Sequence, residues 1–263
     1  MIDQPKAHHI WHEPFKIHSY EIGPSSFATP QAICRFLQEA ASNHATNLGV
    51  SGDETAEAER MWVLSQLSLR MEVYPRWHET IQIDTWPVIK VPAGVRGHRD
   101  FVLRYQDGEQ IGSASTIWLY LNQATRRPLR IPQSLQEFAS VGLEQNILNI
   151  VQGSDLVGSP YNSLKFRIRG SDIDWNRHVN NVCYVEWALE TLPADFRLEN
   201  SNVALDITFV AEGKYGHDVI AETFQSKDSP NIFFHRISEK DSSKTLGLLR
   251  TAWAPKAVHS DPK

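Results

Sequence analysis

The chain has 263 residues, 41% of them hydrophobic, with 26 Lys and Arg against 31 Asp and Glu and a formal net charge of −5 at pH 7. That acidic balance gives no global positive field for nucleic acid or an anionic membrane, so any acidic partner must meet a local patch. No run approaches the roughly 18 consecutive apolar residues that span a bilayer, and MIDQPKAHHIWHEP lacks the apolar stretch of a secretory signal.

In chain order, His8, His9 and His12 lie in a terminus without carboxylate or cysteine support, so no metal site is expected there. Thr29 is a suitable N-cap and Pro30 suits the first helical position. Ile33, Leu37, Ala40, Ala41 and His44 form one helical face before Gly49, with His44 expected to cap the helix end through the dipole. Strands are predicted over 61–73, 79–88, 97–105 and 110–121, with Asp107-Gly108 as a hairpin turn. Residues 133–160 show no sustained alternation and read as a linker with some helix. A second helix is predicted over 180–192, stopped by Pro193. Val203, Leu205, Ile207 and Phe209 then alternate on one face, and strands follow over 219–226, 231–238 and 244–253. The expected organisation is an α+β pair of units, 1–132 and 161–263, joined by the linker at 133–160. Two widely separated cysteines, Cys34 and Cys183, fit a reducing cytoplasm.

The two units repeat one another. Leu67–Trp86 overlays Leu205–Phe224 without gaps at an offset of 138 (205 − 67), pairing Leu69 with Ile207, Met71 with Phe209, Ile81 with Val219 and Asp84 with Glu222. Thr116-Ile117-Trp118 resembles Thr251-Ala252-Trp253 at an offset of 135 (251 − 116), which marks a duplication. Upstream, matching Ile22 to Ile168 sets Asp174, Asn176 and His178 against Ala28, Pro30 and Ala32, while the offset of 138 sets Glu212 against Tyr74. Structural positions persist in both copies, whereas a single active site need survive in only one.

The densest polar stretch is DIDWNRHVNNVCYVEWALETLP, residues 172–193, which gathers carboxylates, asparagines and a histidine around a helix start. Asp174, Asn176 and His178 stand at i, i+2 and i+4, so an extended lead-in would turn all three to one side. The stretch resembles the signature of the acyl-acyl-carrier-protein thioesterases. The resemblance extends to SYEIGPSSFATPQAICRFLQEAASNHATNLG, to the run from Trp62 to Trp86 and to STIWLYLNQATRRPLRIP. It covers residues 17–255 and is weakest between 133 and 160. It implies a tandem hot-dog fold, each unit a long helix wrapped by a curved antiparallel sheet. It also implies a hydrolase that frees fatty acid from acyl carrier protein, with the acyl chain linked through phosphopantetheine and no cofactor. Plant relatives carry a plastid-targeting extension. Here the family-like sequence starts within about twenty residues of Met1, so a bacterial cytoplasmic enzyme is expected. Neither nucleic acid nor membrane insertion is expected, and the sequence is compatible with a homodimer.

The resemblance carries a D-x-N-x-H pattern onto Asp174, Asn176 and His178, with Glu212 as the partner 34 residues beyond the histidine. Glu212 is expected to act as general base on water, Asn176 to hold that water or the carbonyl, His178 to donate a hydrogen bond or relay a proton, and Asp174 to orient its neighbours. Amides near Asn180 and Asn181 are candidates for stabilising the oxyanion. Direct attack by Glu212 stays open as an alternative. Many plant relatives carry a cysteine just after this glutamate. Here the position is Gly213, which removes a cysteine nucleophile, and Cys183 reads as a core thiol.

Plainer readings stand beside these. Asp174, Asn176 and Asn180 also suit turn and cap positions, and Glu212 suits a solvated strand end. Trp62, Leu64, Leu67 and Met71 are candidates for lining an acyl pocket or for filling the core. Arg126, Arg127 and Arg130, together with Arg96 and Arg99, are the densest positive stretches and candidates for steering an acidic carrier. The rival functions are an acyl-thioester dehydratase or hydratase of similar fold and a non-catalytic acyl-carrier binding module.

Overall fold

A computed structural model describes residues 10–51, 59–88, 94–132 and 147–256. The chain divides into two compact units, Met1–Leu148 and Asn149–Lys263. The first contains β1 (Trp11–Lys16), α1 (Pro30–Asn47), β2 (Arg60–Met71), β3 (Thr80–Val88), β4 (Arg96–Tyr105) and β5 (Gln110–Asn122). Its sheet runs β1-β3-β4-β5-β2, antiparallel throughout, with α1 packed on β1 and β3. The second contains β6 (Asn162–Arg167), α2 (Asn181–Glu190), α3 (Ala194–Glu199), β7 (Asn200–Phe209), β8 (Asp218–Gln225), β9 (Ile232–Glu239) and β10 (Thr245–Pro255). Its sheet runs β6-β8-β9-β10-β7, again antiparallel, with α2 against β8, β9 and β10. Each unit packs a helix, α1 or α2, on one antiparallel sheet, the hot-dog arrangement.

Local chemistry explains the boundaries. Thr29 Oγ1 accepts from the Ala32 amide at 3.1 Å, and α1 ends where Gly49 turns to φ +70°. Gly108, at φ +93°, closes the β4–β5 hairpin with Tyr105 N–H donating to Glu109 O at 2.8 Å. Strands β1 and β6, and the short helix α3, were not predicted. Both strands are six-residue sheet edges whose half-buried positions include Glu13 and Asn162, which blunts the apolar alternation. Pro193, read as a stop, is also the N-cap of α3.

These edge strands correct the alignment of the two copies. Ile17 and Ile168 are the buried equivalents, at 0% and 1% exposure, so the upstream offset is 151 (168 − 17) rather than 146. Ile17 N–H donates to Glu79 O and Ile168 N–H to His217 O, at 2.8 and 2.9 Å. The bridge Ile22–Ala28 recurs as Ile173–Val179, the cap Thr29 as Asn180, and Ser26 at φ +65° as Arg177 at φ +64°. In this frame Asp174, Asn176 and His178 stand opposite Gly23, Ser25 and Phe27, and Glu212 still faces Tyr74. The first copy therefore lacks all four polar groups.

A β-bulge also recurs. In β2 the pairing skips Ser65, between Leu64 opposite Trp118 and Gln66 opposite Ile117. In β7 it skips Val203, since Ala204 pairs with Ala252 and Asn202 with Trp253. One extra residue reverses the alternation. Asn202, not Val203, thus shares a face with Leu205, Ile207 and Phe209, against expectation. The bulge in β2 sets Trp62, Leu64, Leu67 and Met71 on one face although their spacing changes parity. That face looks toward α1, because Arg99, opposite Thr116 on the same side, reaches His44.

His44 is no solvated cap. It is wholly buried, stacks on Trp11 with ring centroids 5.9 Å apart, and accepts through Nδ1 from Arg99 at 2.9 Å. Arg99 is 8% exposed, also donates to Thr85 Oγ1 at 3.2 Å, and is pushed down to about 10 by burial. It is therefore excluded as a surface cation for docking. Of the predicted linker, 133–146 lies outside the described residues. The remainder carries a single 3₁₀ turn, Gly153–Asp155, and Asn149 donates to Asp206 on β7 at 3.2 Å. His8 and His9 also lie outside the described residues, while His12 meets Asp84 at 2.6 Å.

Candidate active site

The residues ahead of α2 form a tight turn, not the extended lead-in expected. Asp174 N–H donates to His178 O at 2.8 Å and Arg177 N–H to Asp174 O at 2.9 Å, and the left-handed backbone at Arg177 reverses the chain. Asp174 and His178 consequently meet at the base of the turn, where Asp174 Oδ1 accepts from the His178 amide at 3.0 Å. Asn176 sits at the exposed tip. The turn is anchored by Asp172, 3% exposed, which bonds the Arg169 amide at 2.8 Å and its guanidinium at 2.9 Å. Burial opposes charge on Asp172, but the Arg169 bonds outweigh it and hold the carboxyl below its ordinary range.

Asn180 is the N-cap of α2. Its Oδ1 accepts from the Val182 amide at 2.9 Å, and its own amide donates to Asp172 O at 2.8 Å. The Asn180 N–H is thus committed within the protein and is excluded as an oxyanion donor; Asn181 is the first residue of the helix.

Glu212 lies just past β7, where Val210 and Ala211 both donate to Leu246 O at 2.8 and 3.1 Å. Its Oε2 stands 3.8 Å from His178 Nε2, with side chains 47% and 26% exposed. That separation exceeds a hydrogen bond but leaves the two groups in direct electrostatic contact, a spacing common in ligand-free acid–base pairs. A residue that sequence reasoning missed braces the pair. Tyr184 of α2 accepts through Oη from the Gly213 amide at 3.0 Å and donates to Ala211 O at 3.4 Å, so one phenol holds the backbone on both sides of Glu212. Burial is the main cause that pushes Tyr184 up to about 12, so it stays a neutral donor. An aromatic on a helix face signals only packing, and Tyr184 does pack on Trp187 and Phe209.

A Cβ at Gly213 would lie 2.7 Å from Ile168 Cδ1, the movable end of that side chain, and 3.3 Å from Val179 Cγ2, so a side chain there would require its neighbours to shift. Cys183 is 8% exposed, with Sγ 3.8 Å from Asp172 O. In the first unit Leu64, Leu67 and Met71 are buried and Trp62 packs on Tyr120 at 4.7 Å, while Arg126, Arg127 and Arg130 are exposed. A cavity of about 380 Å³ in the second unit is lined by Leu156, Glu222, Arg236 and Leu248, and one of about 390 Å³ in the first by Lys16, His18, Arg35 and Glu39. None of the predicted site residues lines either.

The acyl-ACP thioesterase N-terminal domain model matches residues 8–138 and the C-terminal domain model residues 159–255. The oleoyl-acyl carrier protein thioesterase 2 of Arabidopsis thaliana is 30% identical over 89% of this chain and 67% of its own length. A palmitoyl-acyl carrier protein thioesterase of Cuphea hookeriana is 28% identical over 94% of this chain, which spans 63% of that relative. The solved 12:0-ACP thioesterase of Umbellularia californica superposes with a TM-score of 0.81 at 25% identity, covering 94% of each chain. With both domain models in tandem order and a relative at this identity, the chain belongs to the acyl-ACP thioesterase family.

Proposed function

We propose that the protein hydrolyses the thioester of fatty acyl-acyl carrier protein, releasing free fatty acid and ending or diverting chain synthesis. The observation that carries the reading is the His178–Glu212 contact at 3.8 Å in the second unit, set where the first has Phe27 and Tyr74. Glu212 takes a proton from water as its oxygen attacks the carbonyl carbon. Electrons move onto the carbonyl oxygen, then return as the C–S bond breaks, and the carrier leaves as a thiolate. His178 and the Asn176 side-chain amide supply the donors to the developing oxyanion, and Asp174 holds the histidine by its backbone. The committed Asn180 amide supports giving that task to side chains.

In the same proposal Trp62, Leu64, Leu67 and Met71 line the acyl chain, and Arg126, Arg127 and Arg130 steer the carrier from a distance. Two buried cysteines that form no disulfide, Cys34 and Cys183, support a reducing bacterial cytoplasm. Among the described residues no helix is long and apolar enough to cross a membrane. Thiol release from acyl carrier protein tests the reading. The unaltered protein should release thiol and Glu212→Gln should not; undiminished release from Glu212→Gln and from His178→Ala would remove the assignment. A dehydratase would leave the thioester intact.

A further inference from the structure

Nine large hydrophobic side chains among the described residues are exposed, and three of them flank the site: Trp175 at 73%, Val210 at 53% and Tyr215 at 70%. Trp175 stands between Asp174 and Asn176, and Tyr215 follows Glu212 by three residues. A tryptophan so exposed forgoes most of the gain from its burial, and nothing in the turn requires one. The first unit builds the same turn, with Gly23 N–H on Phe27 O and Ser26 N–H on Gly23 O both at 2.9 Å, from Pro24, Ser25 and Ser26. The backbone is thus satisfied by small neutral side chains, and the Trp-Asn-Arg tip is an addition peculiar to the second copy.

The tip is also cationic. Arg177 and Lys214 are both exposed, and among the described residues the Arg177 guanidinium meets no ion-pair partner. Arg169, beside them, is 67% exposed even while bound to Asp172. The nearby negative groups are Asp174 and Glu212, both belonging to the site, with Asp172 and Glu186 acting on Arg169. Tryptophan, tyrosine and arginine are the residues that dominate protein–protein binding energy, and a positive rim on a protein of net charge −5 selects an acidic partner.

We propose that the Trp175–Arg177 tip, with Lys214 and Tyr215, is the surface on which the acidic carrier protein docks while its acyl thioester enters the site. This rests on the thioesterase reading above and adds the residues that recognise the carrier. The aromatic pair supplies the desolvated anchor and the two cations the match to carboxylates. The tip governs how long the carrier stays, whereas the arginines at 126–130 govern how fast it arrives.

The test presents one acyl chain on acyl carrier protein, on coenzyme A and on N-acetylcysteamine to Trp175→Ala and Arg177→Asn. Asparagine accommodates the left-handed backbone at 177. KM for the carrier substrate should rise about tenfold in each variant with kcat held, while the coenzyme A and N-acetylcysteamine reactions stay within about twofold. An unchanged KM on the carrier overturns the proposal. So does an equal loss on carrier and coenzyme A, which would assign the tip to the pantetheine arm, or an equal loss on all three, which would assign it to the catalytic turn. The site reading fails separately, if Glu212→Gln hydrolyses the N-acetylcysteamine thioester at the unaltered rate.

Discussion

The two units share a scaffold down to single hydrogen bonds yet differ at the four positions of the candidate site. Both have a capped helix, a left-handed residue three places before the cap, a bulge in the strand that follows and a pair of buried threonines. Trp118 Nε1 donates to Thr116 at 2.9 Å and Trp253 Nε1 to Thr251 at 3.0 Å, so even the indole contacts repeat. Where the second unit places His178 and Glu212, the first has Phe27, covered by Arg76 at 4.7 Å, and Tyr74, whose buried hydroxyl meets no hydrogen-bond partner among the described residues. The same turn therefore brings His178 beside Glu212 in one copy and presents packing in the other, and the scaffold does not depend on the polar groups.

The largest break in this symmetry should come from the pair itself. Glu212→Gln is expected to lower kcat for thiol release by about 10²–10⁴. Its counterpart Tyr74→Phe, which only deletes an unpartnered hydroxyl, should leave kcat within about twofold and stability unchanged or slightly raised, by about 1 kcal/mol. Equal effects in the two units would end the division of labour. Tyr184→Phe comes next. It keeps the ring and removes both bonds that hold Glu212, so kcat should fall about tenfold with KM steady. A fall in melting temperature with kcat intact would make Tyr184 a packing residue only.

The interiors give a third test. Thr85 and Thr223 are equivalent and wholly buried, but the first bonds Arg99 and the second His235. His235 also meets Thr251 at 2.9 Å and is pushed down to about 3 by burial, so it is neutral when folded. Because the unfolded histidine binds a proton near pH 6.5, stability should be full above that pH. It should be lost as pH falls toward 3, by up to about 1.4 kcal/mol per pH unit. Denaturant midpoints across this window should flatten in His235→Gln; an unchanged slope would show that other groups set the acid response. The smallest effect belongs to the proposed acyl pocket. Leu64→Phe should shift released fatty acids to shorter chains at a stability cost of about 1–3 kcal/mol, and an unchanged product profile would return β2 to a purely structural role.

Much of this was legible in the sequence because duplication supplies an internal control. The alternation of Ile81 and Ile83 or Leu205 and Ile207 marked the strands, Thr29-Pro30 marked α1, and the absence of His178 and Glu212 from the first copy singled out the candidate site. What escaped depended on packing between distant segments. Charged edge strands concealed the offset of 151, and Arg99 read as surface because its burial depends on His44, 55 positions away. The turn at Asp174–His178 hid behind a spacing that also suits a strand, since only the positive φ of Arg177 separates the two. Tyr184 gave no signal of its own, since its hydroxyl acquires a task only once Gly213 is placed beside it.

The bulge at Ser65 has a practical consequence for altering chain preference. Substitutions that walk along β2 toward the helix side must follow even numbers as far as Leu64 and odd numbers from Leu67 onward. A library that kept one parity throughout would vary the pocket side over half the strand and the opposite side over the rest.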